Sequence, residues 1–430
     1  MNTRRDPAET ERLSREDAAH WHMDTPANPM VIGALLLFER QLSLEALETL
    51  VRHKLVPHRR FRQHVVESPH RWGRPRWIDD APFDLRGHVY RLRPSATMGG
   101  AGLSDLVGER MNTPLPPGRS PWSFELVDLS PRGSALLFRI HHCIADGRAL
   151  VALFEQLADE SVDSDQEPSP ARGSPDKAHR RGRFWRLLRG LFRLVPLGSD
   201  PASFLSRPLT GRKCVAWSDA IPLETIRAIA SPRQHHVTDV LLAGVAGALD
   251  SYARAHGQVP RPVHALLPVA ASSAGSADAL GNHYASMFVS LPAAVDNPHA
   301  RLEIIAREMA TLRWGGLSRT ALGLMSLAGS LPHGLERRAA RWGARRASLV
   351  VSSLAGPKTP LHVAGQPLGA VTIWAPAPAS IGLSCTLFGY AGTIRLGVLT
   401  DSAVIDDPEE LVSGFAAAID ELGRGAAGKE

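Results

Sequence analysis

Apolar residues recur along this chain with two periods. Ala135-Leu136-Leu137-Phe138-Arg139-Ile140 is a short, mostly apolar run of strand length, and Arg148 to Leu157 repeats apolar residues at helical spacing. A strand therefore ends and a helix begins around His141-His142-Cys143-Ile144-Ala145-Asp146-Gly147. The same reading predicts a short helix through Trp21 with Ser14 as N-cap, a buried strand over Met30–Glu39, and an amphipathic helix over Leu44–Leu55 capped by Ser43. Val263–Val269 reads as a buried strand and Pro408–Leu422 as a helix. Ile381–Val398 reads as a hairpin of two apolar strands around a Gly-containing turn. The small residues of Val237–Leu249 suit a closely packed buried helix, with Thr238 as N-cap and Asp239 in its first turn.

Between the halves the pattern breaks. Asp159–Asp176 is acidic and rich in Ser and Pro, as an exposed linker is. In the basic stretch that follows, Arg183, Arg186 and Arg193 would gather on one helical face, and Phe184, Leu188, Leu191 and Val195 on another. A helix lying in a lipid interface and a crossover helix packed on the protein both fit. The chain thus divides into an N-terminal lobe (1–160), a linker with a basic amphipathic helix (161–214) and a C-terminal lobe (215–430).

Composition narrows the class without naming it. The 430 residues suffice for two lobes with their own cores, and 44% hydrophobic with 21% charged residues is an ordinary globular mixture. The net charge of +6 comes almost wholly from arginine, because lysine occurs only at Lys54, Lys177, Lys213, Lys358 and Lys429. Charge alone is weak evidence for an anionic partner, and no nucleic acid is expected. Cys143, Cys214 and Cys385 form neither a disulfide framework nor a metal pattern, which suits a reducing compartment. The first residues lack an apolar secretion core, and no run approaches the roughly 20 apolar residues that span a bilayer. A cytoplasmic protein, at most peripheral to membrane, is expected.

The chemistry concentrates at the strand-to-helix turn. A side chain at the end of a buried strand is held rigidly yet can face a cleft, and a helix N-terminus beside it favours developing negative charge. Imidazole, with an unperturbed pKa of about 6.5, can take and return a proton near neutrality. Neighbouring strand residues point to opposite sides. His142 is expected to reach the cleft as general base, and His141 to turn into the supporting structure. Asp146 has two readings, orienting the imidazole directly or pinning the loop by pairing with an arginine, and its closeness to the turn favours the second. Gly147 relieves backbone crowding at the helix entrance. A thiol nucleophile at Cys143 is the competing chemistry, although its neighbours are explained without it.

The spacing His-His-xxx-Asp-Gly resembles the signature of the chloramphenicol acetyltransferase-like superfamily, which includes wax ester synthases, condensation domains of peptide synthetases and carnitine acyltransferases. Other positions narrow the resemblance to the bacterial wax ester synthase and diacylglycerol acyltransferase family. Leu13, Ser14 and Asp17 followed by Pro29, Met30 and Gly33 match its opening, and Gly281-Asn282 followed by a strand and Leu291-Pro292 matches a later element. Three positions differ: Ser120-Pro121-Trp122 stands for Pro-Leu-Trp, Thr238-Asp239 for Asn-Asp, and Ser353 for Asn in a turn before Gly356-Pro357. The resemblance covers residues 13 to 422.

What it implies is a mixed α/β fold of two chloramphenicol acetyltransferase-like lobes with a substrate tunnel between them. The activity implied is transfer of a long-chain acyl group from acyl-CoA to a fatty alcohol or diacylglycerol, forming wax ester or triacylglycerol. No metal and no cofactor is expected beyond acyl-CoA as co-substrate, and attachment to a membrane or lipid-inclusion surface fits such substrates. Trp122 would lie along the acyl path. Asn282 either holds a substrate hydroxyl or thioester oxygen or caps a turn, the cap being the simpler reading. Two other functions stand beside this one. A condensation-type enzyme would take its donor from a carrier protein or use an unusual alcohol or amine acceptor. A catalytically silent lipid-binding protein would have no reason to keep His142, Asp146 and Gly147.

Overall fold

The computed structural model describes residues 10–70, 73–93, 102–129, 133–159, 200, 203–270, 280–282, 284–314 and 344–427. In the first half the elements are β1 (Glu11–Arg12), α1 (Arg15–Met23), β2 (Val31–Phe38), α2 (Leu44–Lys54), β3 (Gln63–Val66), β4 (Arg76–Asp79), β5 (Val89–Arg91), α3 (Gly102–Asn112), β6 (Trp122–Leu129), β7 (Gly133–His141) and α4 (Gly147–Leu157). There follow β8 (Lys213–Trp217), β9 (Ile221–Pro222), α5 (Leu223–Ala230), α6 (Val237–Ala255), β10 (Val263–Ala270), β11 (Tyr284–Leu291), α7 (Pro298–Trp314), β12 (Leu349–Ala355), β13 (His362–Val363), β14 (Gln366–Trp374), β15 (Leu383–Tyr390), β16 (Thr393–Asp401) and α8 (Pro408–Ala427). The first sheet runs β13-β14-β2-β7-β6-β5, the second runs β11-β10-β12-β15-β16-β8 with β9 on β16, and β1-β4-β3 form a small third sheet.

Burial on both faces explains why the central strands read as unbroken apolar runs. On one face of the first sheet, Ile32, Leu36, Phe138, Ile140 and Phe124 pack with Leu47 and Val51 of α2 and Leu150 and Phe154 of α4. On the other, Leu35, Leu137 and Val127 meet Val107 and Met111 of α3, and also Val215, Trp374 and Leu399 from the second half of the chain. The second sheet is covered by α6 and α8, where Leu242, Val245, Phe415 and Ile419 pack on Leu267, Val351, Leu387 and Val398.

Residues beyond the second-lobe boundary complete the first sheet. From Ala370 to Trp374, β14 pairs with β2 from Leu37 back to Gly33, so the lobes share a sheet as well as a core. A second clasp fixes the loop that leads into β2. Lys213 Nζ donates to Asn28 Oδ1 (2.7 Å), and Asn28 Nδ2 donates to the carbonyls of Ala379 (3.1 Å) and Ile381 (2.9 Å).

Ser14 and Ser43 cap their helices as expected, accepting from Asp17 N (2.9 Å) and Ala46 N (3.3 Å). Helix α6 begins earlier than expected, with His236 and not Thr238 at its N-cap. Asp239 is the reason: its carboxylate reaches back to the His236 N–H at 3.0 Å, and a cap satisfied from the third helical position needs no hydroxyl. Ser352 and Ser353 lie in β12 opposite Thr386 and Leu387, where a turn was expected. The acidic linker and the helix expected to carry Arg183, Arg186 and Arg193 fall outside the described residues. Among the described residues no helix is long and apolar enough to cross a membrane.

Candidate active site

Strand β7 stops at His141 and α4 starts at Gly147, so the motif forms the connection between them. Backbone bonds hold it to both halves of the molecule. The His142 N–H donates to Met30 O (2.8 Å), the residue that leads into β2. Asp146 N donates to Gly281 O (3.1 Å) and Gly281 N to Ile144 O (2.9 Å), which pairs Ala145 with Gly281. Gly281 has φ +112°, a conformation that favours glycine, and the turn there carries Asn282 inward.

His142 is 8% exposed and Asn282 3%. Asn282 Nδ2 donates to Asp17 Oδ1 (2.8 Å) and to the His142 carbonyl (2.7 Å). Both partners are acceptors, so the amide can face only one way, with Oδ1 toward the imidazole. That oxygen lies 2.8 Å from His142 Nδ1. The bonding therefore assigns the ring proton to Nδ1 and leaves a lone pair on Nε2. Burial first, and then the neighbouring His20, push the His142 pKa down to about 3, against an opposing pull from the Asp146 carboxylate. The ring is neutral at physiological pH.

Two further side chains complete the surroundings. The His20 ring stacks on His142 with centroids 4.4 Å apart and planes 16° from parallel. Tyr284 sits at 5.7 Å from the His142 ring, and its hydroxyl lies 2.6 Å from His20 Nε2. Burial, with Asp146 adding to it, raises the Tyr284 pKa, so the phenol stays protonated. Sequence reasoning met Asp17 and Tyr284 only as positions in matched segments and missed His20 altogether. The available signal was on α1, where Asp17 and His20 stand three residues apart and so share a helix face.

The structure gathers His141, His142, Asp146, Gly147 and Asn282 in this one place. His141 is 3% exposed and lies against Trp21, with ring centroids 5.1 Å apart; its Nδ1 accepts from the Cys143 N–H at 3.1 Å. Asp146 is the N-cap of α4, and its Oδ1 accepts from Arg148 N and Ala149 N, both at 3.0 Å. The bond to Arg148 N is an Asx-type turn, the ordinary structural reading of this stretch, while neither chemical reading of the residue included the cap. The side chain of Asn282 bonds to His142 and Asp17 where a turn cap was the simpler reading. Cys143 is 1% exposed, and burial raises its thiol pKa well above the ordinary range, which keeps the nucleophilic thiolate unpopulated. Trp122 belongs to a different group of side chains: its ring stacks on His88 at 4.5 Å, meets Phe61 and Phe124 edge-on, and donates its indole N–H to Phe61 O (3.0 Å).

Two lobes clasped through a shared sheet, with a buried imidazole on the β7–α4 turn that bonds across to Gly281, define a condensation-like acyltransferase fold. The wax ester synthase/diacylglycerol acyltransferase from Marinobacter aquaeolei VT8 is similar over 97% of this chain and 100% of its own, with TM-score 0.72 and 21% identity. The first condensation domain of the calcium-dependent antibiotic synthetase is similar over 97% of each chain, with TM-score 0.65 and 18% identity. The wax ester synthase/diacylglycerol acyltransferase catalytic domain matches residues 13–279, and the C-terminal domain of the same family matches residues 280–423. The chain belongs to this family and is an acyltransferase. A Mycobacterium tuberculosis protein named as the probable diacylglycerol O-acyltransferase tgs1 is 26% identical over 422 residues, covering 91% of each chain. The family boundary puts His142 in the catalytic domain and its partners Asn282 and Tyr284 in the C-terminal one.

Proposed function

We propose that the protein moves a long-chain acyl group from acyl-CoA to the hydroxyl of a fatty alcohol or diacylglycerol, with His142 Nε2 as general base. The observation that carries this reading is the fixed orientation of Asn282, which leaves Nε2 as the basic nitrogen of a neutral, buried ring. In the reaction, Nε2 takes the proton of the acceptor hydroxyl as its oxygen attacks the thioester carbonyl carbon. The C–S bond then breaks, and the imidazolium returns the proton to the departing CoA thiolate, so the ester and free CoA leave with the base unchanged. No acyl-enzyme forms. Donor and acceptor meet at His142 in a tunnel between the lobes, and holding them in contact supplies much of the acceleration. The family and the diacylglycerol acyltransferase named among the relatives support the substrate class.

The test is release of free CoA from palmitoyl-CoA, first with hexadecanol and then with a diacylglycerol carried in vesicles. Acceptor-dependent release is expected from the wild type, with a loss of roughly 10²–10⁴-fold in His142→Ala. Release that survives the substitution refutes the base. Folded protein inactive with both acceptors refutes the substrate assignment and favours a carrier-bound donor.

A further inference from the structure

Of the three buried ionisable side chains on helix α1, Asp17 at 7% exposure and His20 at 0% stand one turn apart, and His22 is the third. Asp17 takes part in the cap, its backbone N–H donating to Ser14 Oγ and its carboxylate also bonding Ser14, whereas His20 takes no part in it. Burying a carboxylate and an imidazole is costly unless their polar atoms are bonded. Here those bonds converge on one ring from two directions.

The first direction is the edge of the imidazole. Asp17 Oδ1 accepts from Asn282 Nδ2, and Asn282 Oδ1 accepts from His142 Nδ1, each at 2.8 Å. The second is its face, against which His20 stacks at 4.4 Å. His20 is itself locked. Its Nδ1 lies 2.8 Å from the Glu16 carbonyl, which can only accept, so the proton is on Nδ1 and Nε2 accepts the Tyr284 hydroxyl.

We infer that Asp17 and His20 are positioning residues for the base, a statement that rests on the assignment of His142 to that role. Asp17 polarises the Asn282 amide, so the amide oxygen becomes a stronger acceptor as His142 takes up its proton and Nδ1–H turns into an imidazolium donor. The intervening amide transmits the field and not the proton, so the ring returns its proton to the leaving group. His20 occupies the face of the ring as a neutral aromatic, which stops the ring turning and keeps a second positive charge away from the transient imidazolium. The ionisable groups around this arrangement are Asp17 and His20 on α1, Asp146 on the motif loop and Tyr284 on β11. His141 lies close enough to act on His20, and Arg60 and Glu16 act on Asp17.

The experiment compares kcat, KM for palmitoyl-CoA and the pH profile of kcat/KM in the full-length protein. The variants are Asp17→Asn, His20→Phe, the exchange Asp17→Asn/Asn282→Asp, and His142→Ala. Asn at position 17 still offers an oxygen to Asn282 while it removes the charge and turns the other oxygen into an N–H donor. It is expected to lower kcat roughly 10- to 100-fold with KM within about twofold. His20→Phe keeps an aromatic ring on that face but loses the bonds to the Glu16 carbonyl and the Tyr284 hydroxyl that lock it, so the stack loosens and kcat falls with KM again unmoved. The exchange variant puts a carboxylate directly on Nδ1–H. Its acid limb should move up by about 1–3 pH units, with part of the lost kcat restored. A helix that merely needed any side chain at these positions would not move that limb. Wild-type kcat in both single variants, with His142→Ala inactive, overturns the inference and leaves the base standing. Activity in His142→Ala removes the base itself. A slow Asp17→Asn variant together with an exchange variant whose limb stays in place also overturns the inference, and the exchange decides alone if Asp17→Asn is insoluble, because it keeps a bond between positions 17 and 282 and gives up only the one from Asn282 to the His142 carbonyl.

Discussion

Gly147→Ala tests whether the site depends on how closely the lobes approach. A methyl group on Gly147 would end 2.7 Å from Leu354 Cδ2, 2.9 Å from Cδ1 and 3.4 Å from Cγ. Carbon atoms pack at about 3.5–4.0 Å, so the two nearest contacts are short by about 0.6–1.3 Å. Overpacking of this kind costs about 1–3 kcal/mol. Alanine gains at most about 1 kcal/mol over glycine in a helix interior, and less at a first helical position, so the clash wins. Leu354 is on β12, which is held between β10 and β15, so whatever part of the clash its half-buried side chain does not relieve by rotating is taken up by α4. The Ala145–Gly281 pairing lies two residues upstream, so displacing α4 lengthens the 2.8 Å bond between His142 and Asn282. The variant should unfold at lower urea concentration and lose kcat out of proportion to its stability. Leu354→Ala removes the three carbons that the new methyl meets, so the double variant Gly147→Ala/Leu354→Ala should recover most of the lost kcat. Wild-type kcat in Gly147→Ala, or a double variant no better than the sum of the single effects, would refute the reasoning.

Two shorter predictions address groups that the proposed reaction does not use. Cys143→Ala should keep near-wild-type kcat, and iodoacetamide should leave the wild type active; a loss approaching the roughly 100-fold expected of a reacting group would reinstate the thiol. Glu125→Gln should destabilise the protein by about 3–5 kcal/mol, read as a urea midpoint, because it leaves the charge of Arg139 buried without its counter-ion. Glu125 Oε1 accepts from Arg139 Nε (2.8 Å) and Oε2 from Arg110 Nε (2.6 Å), and the side chains of Glu125 and Arg139 are 0% and 1% exposed. Because Arg110 also bonds Glu125, replacing all three together, as Glu125→Leu/Arg139→Met/Arg110→Met, should restore most of the midpoint, and an unchanged Glu125→Gln variant would show that the ion group contributes nothing.

Local pattern revealed what local pattern controls. Ser14, Ser43, the β7–α4 turn and the β15–β16 hairpin are each set by a few adjacent residues, and each lies where its sequence places it. The pairing of β14 with β2 was not legible, because Val371 and Ile373 would suit either sheet, and the choice is made by neighbours more than 300 residues away in sequence. The N-cap of α6 moved because a carboxylate within the helix did the work assigned to a hydroxyl before it. The site was half legible on the same terms. His141, His142, Asp146 and Gly147 are consecutive or nearly so, and the spacing exposed them. Asn282 was visible only as part of a Gly-Asn step, and its use depends on Asp17, 265 residues away. His20 has no signature of its own: its meaning is the ring it stacks on, 122 residues further along.

Adjacent histidines of the same kind end with opposite chemistry, and the cause is which atom each meets at Nδ1. At His142 the partner is Asn282 Oδ1, an acceptor, so Nδ1 holds the proton and Nε2 the lone pair. At His141 the partner is the Cys143 N–H, a donor, so Nδ1 holds the lone pair and the proton goes to Nε2, which lies 3.4 Å from Asp24 Oδ2. A general base needs a lone pair directed at the substrate, and the two rings share a backbone step that sends their side chains to opposite sides. Only His142 meets both conditions. Strand alternation could say that one of the pair would face the site; the donor or acceptor at each Nδ1 says which ring carries its lone pair on Nε2. The selection is made across the lobes, because the acceptor that fixes the proton on His142 comes from the C-terminal domain of the family.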